Sequence, residues 1–463
     1  MERKELMNSH FNNGQQNKGI SRRHFLKSGG SALAAGAIGV SAGRVDAWDE
    51  SQDELPKIKE YRMLGRTGFK VSDIGMGGTR VTDGNVVRYA YDHGVNYFDT
   101  AEGYSNGAAE QAIGTAMPHM DRSKIFITTK LHIGEEESES SILDRFARCL
   151  ERLQTDYVDC LYMHNPSQIK LLDHSGFHAA VKKLKSERRL RFIGLSSHGP
   201  GRREGDSMEA VLTAAAEDGR FDVMLMIYNY LNREVTERIL AACKKNNVGT
   251  TAMKISPGFV MVDSYDRENP SPEQKRRIER MKQRGLSQDD AEQRLMDWMK
   301  EQDEEIQKYK PFLEQYGIQN EQQLRKATIQ FVFENPDMHT VLISFSDFDL
   351  VDQVVPVSGT RLSSSDHEIL KYYGQLLNKQ YCRHGCSDCF AACPHGLPVS
   401  SIMRYAYYFK QGREKYAMQK YYDLTDRNAL PCHGCSAPCL GQCPNNVNVQ
   451  AQLVQAHSLL SLA

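Results

Sequence analysis

Short, strongly apolar runs recur along the chain and alternate with longer segments whose apolar residues have helical spacing. Such runs are typical of strands buried on both faces, and their alternation with helices predicts a parallel sheet. Eight of them over roughly 280 residues fit an α/β fold, the (β/α)8 barrel, whose usual size is about 250 residues. An open doubly wound sheet is disfavoured because no Gly-x-Gly-x-x-Gly motif opens the first helix. The predicted strands are Asp73–Gly77, Asn96–Asp99, Ile125–Lys130, Val158–His164, Phe192–Ser196, Val223–Tyr228, Gly249–Lys254 and Thr340–Ser344.

An insertion separates the seventh and eighth strands, at about residues 263–313, and it is dense in charged residues. The favoured interpretation is a solvated helical hairpin with one packed apolar stripe. Because the segment leaves the C-terminal end of a strand, a lid over a cofactor or a docking surface is the alternative. The stripe consists of Leu295, Trp298, Met299, Ile306, Tyr309 and Leu313.

Polar side chains close several of the predicted strands. Asp99 ends the second strand, Lys130 the third, His164 the fourth and Ser196 the fifth. In a (β/α)8 barrel the C-terminal ends of the strands form the catalytic face. We therefore expect these four side chains to converge although they are far apart in the sequence.

Motifs around these strand ends resemble a known family. Residues 98–107 read FDTAEGYSNG, residues 161–166 read LYMHNP, residues 191–196 read RFIGLS and residues 64–68 read LGRTG. Together with Thr129-Lys130, they resemble the aldo/keto reductases over residues 60–360. The resemblance implies an oxidoreductase barrel, which we assign to residues 60–372, acting on a small carbonyl or alcohol.

The same resemblance implies a catalytic tetrad of Asp99, Tyr104, Lys130 and His164. Reducing a carbonyl by hydride needs a proton donor at the developing alkoxide, and a phenol with its usual pKa of about 10 is a weak acid. The Lys130 ammonium is expected to lower the pKa of Tyr104, and Asp99 to keep Lys130 charged and oriented. His164 is expected to bind the substrate oxygen. The alternative is a structural ion pair with a core histidine.

An NAD(P) pocket is also implied, with unusual residues. Ser196-Ser197 stands where the family has a Ser-Asn pair for the carboxamide, Leu225 stands at a Gln position, and Met253 stands at the ring-stacking position. Ser344 and Ser346 belong to the acidic stretch SFSDFD, where the family binds the adenosine end. This stretch lacks a Lys or Arg for a 2′-phosphate, which favours NAD over NADP, or the loss of dinucleotide binding.

Eight of the 11 cysteines form two tight groups within residues 376–463. A run C-x3-C-x2-C-x3-C-P is followed, after 38 residues, by C-x2-C-x3-C-x3-C-P. Each run resembles the bacterial ferredoxin spacing with one gap lengthened, which implies a small, mainly α-helical ferredoxin-like domain with two [4Fe–4S] clusters. The eight are Cys382, Cys386, Cys389, Cys393, Cys432, Cys435, Cys439 and Cys443.

Two questions remain open for these cysteines. Four thiolates can also make a closed zinc site, although zinc sites more often pair two separated C-x2-C motifs. In two-cluster ferredoxins the fourth Cys of each run serves the other cluster. By that analogy Cys443 completes the set of the first run, and Cys393 completes the set of the second. The remaining cysteines, Cys149, Cys160 and Cys243, are expected to be small buried hydrophobes.

The first 47 residues are typical of a secretory signal. SRRHFLK at residues 21–27 is followed by the short apolar stretch Gly29–Val40 and by Val45-Asp46-Ala47, which suits signal peptidase. The paired arginines before Phe-Leu-Lys resemble a twin-arginine signal, which implies export of a folded protein to the periplasm by the twin-arginine machinery. A disordered basic tail is the alternative.

The charge balance limits the partners. Lys and Arg number 58 against 59 Asp and Glu, which gives a net charge of −1. Nucleic acid is therefore disfavoured, because its binding usually requires a basic surface. No apolar run approaches the ~20 residues that cross a bilayer.

Three functions fit these features. The favoured one is an exported oxidoreductase whose clusters exchange electrons with a redox partner protein or a membrane electron carrier. The second is an electron-transfer subunit with the barrel as a docking scaffold, and the third is a redox sensor that binds a partner without turnover. Turnover that depends on Tyr104 distinguishes the first from the other two.

Overall fold

The structure is a computed structural model, and it describes residues 56–461 except 201–204, 257–266, 269, 271, 284, 307–310, 312–313, 315–320 and 411–412. The described residues belong to one compact unit, Leu55–Ala463. The predicted signal, residues 1–47, lies outside the described residues.

A closed parallel barrel forms the centre of the fold, as the apolar runs predicted. Every barrel strand ends within two residues of its predicted bounds, and the last strand pairs in parallel with both the first and the seventh strand of the barrel. The strands are β1 (Tyr61–Met63), β2 (Lys70–Ser72), β3 (Ile74–Gly77), β4 (Tyr97–Asp99), β5 (Phe126–Leu131), β6 (Val158–His164), β7 (Leu190–Ser196), β8 (Val223–Ile227), β9 (Gly249–Met253) and β10 (Thr340–Ile343), of which β3 to β10 form the barrel.

Amphipathic helices surround the barrel. In the helix Glu139–Leu153, for example, Ser138 caps the N-terminus by accepting from the Ser141 amide, and the apolar stripe that includes Ile142 and Phe146 is buried. None of the described helices is both long and apolar enough to span a membrane. The helices are α1 (Gly84–Asp92), α2 (Ala108–Ala116), α3 (Glu139–Leu153), α4 (Ser175–Ser186), α5 (Met208–Asp218), α6 (Arg233–Lys245), α7 (Pro272–Gln283), α8 (Gln288–Ile306), α9 (Glu321–Phe333), α10 (Phe348–Val354), α11 (Ser364–Leu377), α12 (Val399–Lys410), α13 (Glu414–Tyr422) and α14 (Val449–Leu460).

Side chains fill the interior of the barrel. The rings of Tyr97 and Phe126 stack with centroids 5.5 Å apart. The antiparallel hairpin β1–β2, which the hydrophobic pattern did not predict, contributes Leu64 and Val71 to the same apolar cluster. A filled interior leaves the C-terminal strand ends as the face for chemistry.

The insertion contains α7 and α8, which share a small apolar cluster of Ile278, Ala291 and Leu295. The other side chains of the predicted stripe lie outside those that the structure describes. The three single cysteines Cys149, Cys160 and Cys243 are buried, as expected.

Residues 381–460, here called the C-terminal region, carry α12, α13 and α14 around an apolar cluster of their own. This region packs against loops at the C-terminal face of the barrel. The Ser401 hydroxyl donates to the Pro200 carbonyl at 3.0 Å, the Tyr407 hydroxyl donates to the Ser256 carbonyl at 3.0 Å, and the Met208 amide donates to the Gly385 carbonyl at 2.9 Å. The region therefore covers the part of the barrel where the polar strand ends lie.

Replacing Gly199 with Ala is expected to disturb this packing. A Cβ at Gly199 (φ +83) would lie 2.3 Å from the Gly385 Cα, whereas one at Gly219 (φ +85) would meet nothing within 4 Å. Both replacements carry about 1–2 kcal/mol of left-handed backbone strain, and Gly199→Ala adds about 1–3 kcal/mol of overpacking. Urea unfolding of both variants measures the difference, and equal losses of stability would contradict the close contact.

Candidate active site

A buried ion pair lies at the C-terminal ends of β4 and β5. The Lys130 ammonium donates to Asp99 Oδ2 and to the Thr100 carbonyl, each at 2.6 Å, and the Thr128 hydroxyl donates to Asp99 Oδ1 at 2.8 Å. Burial lowers the pKa of Lys130 and raises that of Asp99, and their mutual attraction opposes both shifts. The pair is thus oriented by hydrogen bonds to the Thr128 hydroxyl and the Thr100 carbonyl.

Tyr104 follows β4 in a tight turn. Its ring centroid lies 4.8 Å from Lys130 Nζ and 5.8 Å from the ring centroid of His164, to which it is nearly perpendicular. Ser105 and Asn106 adopt left-handed backbone angles, with φ of 49° and 55°. Non-glycine residues in this conformation cost about 1–3 kcal/mol each and persist where the surroundings enforce them. The turn therefore holds Tyr104 beside Lys130 and His164.

The net shift of the Tyr104 pKa is upward, opposite to the lowering that was expected from Lys130. Burial raises the pKa of Tyr104 well above its usual value, Asp99 raises it further, and the nearby Arg413 lowers it only in part. Desolvation of the phenol is the largest of these influences, and the attraction of Arg413 does not offset it. Tyr104 is accordingly held protonated.

His164 ends β6 and stacks on His132, with ring centroids 4.1 Å apart. Burial lowers the pKa of His164 well below its usual value, and the neighbouring His132, Lys130, Lys254 and Lys420 lower it further. The imidazole is therefore neutral and can hydrogen-bond an uncharged oxygen. His132, which is exposed, was not predicted from the sequence.

A second buried network supports β5 from behind. Glu110 of α2 accepts from the Thr129 hydroxyl at 2.5 Å and from Arg152 Nε at 2.6 Å. Thr129 precedes Lys130, so this network fixes the strand that presents the ammonium. Glu110 was also missed, because an isolated Glu in a helix gives no sign of burial.

The residues expected to hold the nicotinamide lie at the ends of β7, β8 and β9. Ser196 Oγ is buried and has no hydrogen-bond partner among the described residues, whereas Ser197 Oγ accepts from the Gly199 amide at 3.0 Å. Leu225 is packed in the barrel interior. Met253 is partly buried, and Lys254 Nζ lies 3.6 Å from its sulfur. The unpartnered Ser196 hydroxyl fits a ligand amide such as a carboxamide.

The predicted adenosine end is engaged in local hydrogen bonds. Ser344 Oγ lies 2.7 Å from Thr79 Oγ1, and the Ser346 hydroxyl donates to Asp347 at 2.8 Å. Asp347 in turn caps α10 by accepting from the Leu350 amide.

Comparison with known proteins matches the aldo/keto reductase family to residues 74–373. The chain belongs to the aldo/keto reductase family. The matched residues include the barrel strands β3 to β10 and the candidate tetrad of Asp99, Tyr104, Lys130 and His164.

The relatives of this family member are distant or partial. A protein of Arabidopsis thaliana named for voltage-gated potassium channel beta subunits is 39% identical over 124 residues, which cover 23% of this chain and 38% of that protein. A Glycine max protein named as an aldo-keto reductase is 28% identical over 220 residues, covering 43% of this chain and 59% of its own. The chain thus spans between 38% and 59% of the length of these curated relatives. An aldo-keto reductase of Bacillus halodurans, solved in its holo form, is 20% identical with a TM-score of 0.47, covering 68% of this chain and 95% of its own.

Beyond the family match, the eight C-terminal cysteines fall into two neighbouring sets. Burial raises the pKa of Cys382, and the thiols of Cys386, Cys389 and Cys443 raise it further. Those three thiols are therefore the neighbours of Cys382.

The second set is built in the same way. Burial raises the pKa of Cys432 to about 11, with further contributions from the thiols of Cys393, Cys435 and Cys439. Burial also raises the pKa of Cys389, and the thiols of Cys443, Cys439 and Cys393 raise it further, so the two sets adjoin. None of the described His, Cys, Asp and Glu residues form a group of three or more at the spacing of ligands to a single metal ion.

The two runs share a local structure that repeats after 50 residues (443 − 393). The Leu397 amide donates to Cys393 Sγ, and the Val447 amide donates to Cys443 Sγ, both at 3.4 Å. Left-handed residues follow each cysteine, Gly396 with φ 58° and Asn446 with φ 52°. The helices α12 and α14 then begin at equivalent positions.

Proposed function

We propose that the chain interconverts a carbonyl and an alcohol by hydride transfer and exchanges the electrons through two [4Fe–4S] clusters. The tetrad geometry carries this proposal, since Lys130 Nζ lies 2.6 Å from Asp99 and 4.8 Å from the Tyr104 ring. When bound, NAD(P) supplies or accepts the hydride at the substrate carbon.

The chain's own residues handle the proton. During reduction the carbonyl carbon gains the hydride, and Tyr104, held protonated by burial, donates its proton to the oxygen. The neutral His164 hydrogen-bonds that oxygen and fixes its approach. Lys130 stabilises the phenolate that remains, and a proton from water restores the phenol.

Two observations bear on the nicotinamide cofactor. The buried Ser196 hydroxyl, unpartnered among the described residues, is available to its carboxamide. Near Ser344 and Ser346, Asp347 and Asp349 make the pocket acidic, which favours NAD because a 2′-phosphate would be repelled.

The cysteine sets support the cluster part of the proposal. Their membership matches the crossed pattern of two-cluster ferredoxins, in which each run gives its fourth cysteine to the other cluster. Backbone amides donate to the sulfurs of Cys393, Cys435 and Cys443, each at 3.4 Å, and such bonds tune the reduction potential of a cluster. Each cluster would carry one electron and a hydride carries two, so a carrier that passes electrons singly, such as a flavin, would have to link the nicotinamide to the clusters. Zinc in the same thiols is the competing occupant.

We further propose export through the twin-arginine machinery to the periplasm, on the basis of Ser21–Lys27 and the residues that follow. Clusters are assembled within a folded protein, and this route carries folded proteins. A redox partner protein or a membrane electron carrier would then exchange electrons with the clusters.

A second candidate is an electron-transfer subunit or redox sensor without turnover. The packing of the C-terminal region over the barrel favours it, since Tyr408 and Tyr416 lie close enough to Tyr104 to affect its pKa. A barrel whose C-terminal face is covered by the C-terminal region would suit the docking of a partner without turnover.

The deciding experiment is purification without air, followed by iron and sulfide analysis and mass spectrometry of released nucleotide. About eight irons per chain, as two four-iron clusters require, together with NAD(P) are the expected result. Zinc in place of iron would overturn the clusters. Eight irons without nucleotide, and without stabilisation by added NAD or NADP, would favour the electron-transfer subunit.

A further inference from the structure

Positive side chains collect where the C-terminal region meets the barrel. Lys254 follows β9, Arg413 precedes α13 and Lys420 lies on α13. Lys254 Nζ and Arg413 Cζ lie 5.5 Å and 4.9 Å from the ring centroid of Tyr408. Arg413 Cζ and Lys420 Nζ lie 4.3 Å and 5.6 Å from the ring centroid of Tyr416. Two tyrosine rings thus hold the three cations together.

Among the residues that the structure describes, no carboxylate forms an ion pair with these cations. Within the described part of the chain, no salt bridge includes Lys254, Arg413 or Lys420; their contacts are aromatic faces and, for Lys254, His198 Nδ1 at 2.9 Å and the Met253 sulfur. Burial, Arg404 and Arg413 all lower the pKa of Lys254 well below its usual value. A cation held among like charges destabilises the fold unless a bound anion compensates it.

Arg404 has a different role from the other three. It is 5% exposed and donates to the His198 carbonyl and the Ser401 hydroxyl, each at 3.2 Å. Its guanidinium therefore joins the C-terminal region to the loop after β7 and is committed to protein acceptors.

The cations lie beside the tetrad. Arg413 is near enough to lower the pKa of Tyr104, and Lys254 and Lys420 are near enough to lower that of His164. Tyr104, His164 and Lys254 are each only half-buried, so each retains surface that a ligand can contact. An oxyanion a few bonds from the reacting carbon would reach the cations.

We propose that Lys254, Arg413 and Lys420 bind an oxyanion carried by the substrate, so that the substrate is a carbonyl or alcohol compound with a carboxylate or phosphate group. This inference rests on the proposed function, because it names the substrate class of the same site. Since Lys254 comes from the barrel and the other two from the C-terminal region, the site is complete only when both are in contact. The same chemistry could hold the phosphates of a nucleotide, and the experiment distinguishes the two sources.

The first test uses sulfate as the probe on the anaerobically purified full chain. Thermal unfolding is followed at rising sulfate and constant ionic strength, with chloride as the balancing salt, for wild type, Lys254→Met and Arg413→Gln. Lys415→Gln is the matched control, because Lys415 is exposed on α13. Sulfate is expected to stabilise wild type and the control. In Lys254→Met and Arg413→Gln the half-saturating sulfate concentration is expected to rise about 10- to 100-fold, because each variant loses one charge-assisted contact to the anion.

The second test measures NAD binding by the same four proteins. If the sulfate response is lost while the NAD affinity stays within about twofold of wild type, a substrate oxyanion is supported. A lost contact to a nucleotide phosphate, worth about 1.4 kcal/mol, would instead weaken NAD binding about tenfold. Equal losses for sulfate and NAD would overturn the assignment in favour of nucleotide phosphates. An absent sulfate response in wild type, or the same response in all four proteins, would show that no such site exists.

Thermal unfolding in chloride, without sulfate, shows whether each variant is folded. Lys254→Met is expected to unfold no earlier than wild type in chloride, because it removes an amine whose charged form is disfavoured by burial and by Arg404 and Arg413. An earlier transition would mean that Lys254 is structural and would also overturn the proposal. Neither test requires turnover or clusters, so failure of the proposed function leaves both readouts interpretable.

Discussion

Tyr104→Phe is expected to lower turnover of the carbonyl or alcohol substrate by about 10²- to 10⁴-fold, the usual contribution of a positioned acid. The ring and its packing beside Lys130 and His164 remain, so the affinity for nucleotide should stay unchanged. Burial holds the pKa of Tyr104 above its usual value. The rate of reduction should therefore be constant through neutral pH and fall only when the phenol ionises at alkaline pH.

Steady-state rates over a range of pH, with nucleotide binding measured separately, test this result. Tyr422→Phe is the matched control, because Tyr422 is 73% exposed. Equal rates for Tyr104→Phe and wild type would exclude the tetrad mechanism. A rate that already falls below neutral pH would instead support the original expectation that Lys130 lowers the pKa of the phenol.

Cys443→Ala and Cys393→Ala are each expected to reduce bound iron from about eight to about four atoms per chain, since each removes one ligand of one four-iron cluster. The crossed sets give a sharper result in double variants. Cys443→Ala with Cys382→Ala should still hold about four irons, because both residues belong to one set. Cys443→Ala with Cys432→Ala should hold almost none.

Iron and sulfide analysis, with spectroscopy of the reduced clusters, measures these values. The opposite outcome in the two double variants would show that each run binds its own cluster. Cys243→Ala is the control, because Cys243 is buried as a single thiol and lies in neither set. Loss of iron in that control would point to general misfolding instead.

The barrel was predictable because its strands are continuous apolar runs. β6, Val158–His164, matches the prediction residue for residue, since burial on both faces leaves little room for polar side chains. The convergence of Asp99, Lys130 and His164 followed from one rule of geometry, that parallel strands bring their C-terminal ends to one face. Local pattern and topology were sufficient there.

Other parts of the site depend on contacts that no local pattern encodes. The positions of Arg413 and Lys420 result from packing between regions far apart in the sequence, and charged residues in a polar helix are ordinarily solvated. The pKa of Tyr104 was predicted in the wrong direction because spacing reveals neighbours but not desolvation. The hairpin β1–β2 was missed because its strands, which read YRM and KVS, are not continuous apolar runs.

The 50-residue repeat of the cysteine runs has a consequence for how its two halves depend on each other. Cys393 and Cys443 occupy equivalent places, yet each neighbours the thiols of the opposite run. One half made alone would have three thiols of its own set and a fourth that faces away. Two identical halves related by a two-fold axis would supply each other's missing ligand, since an isologous pair makes every contact twice. Under the proposed cluster assignment, the two halves would depend on each other for their fourth ligand, as the subunits of an isologous dimer depend on each other.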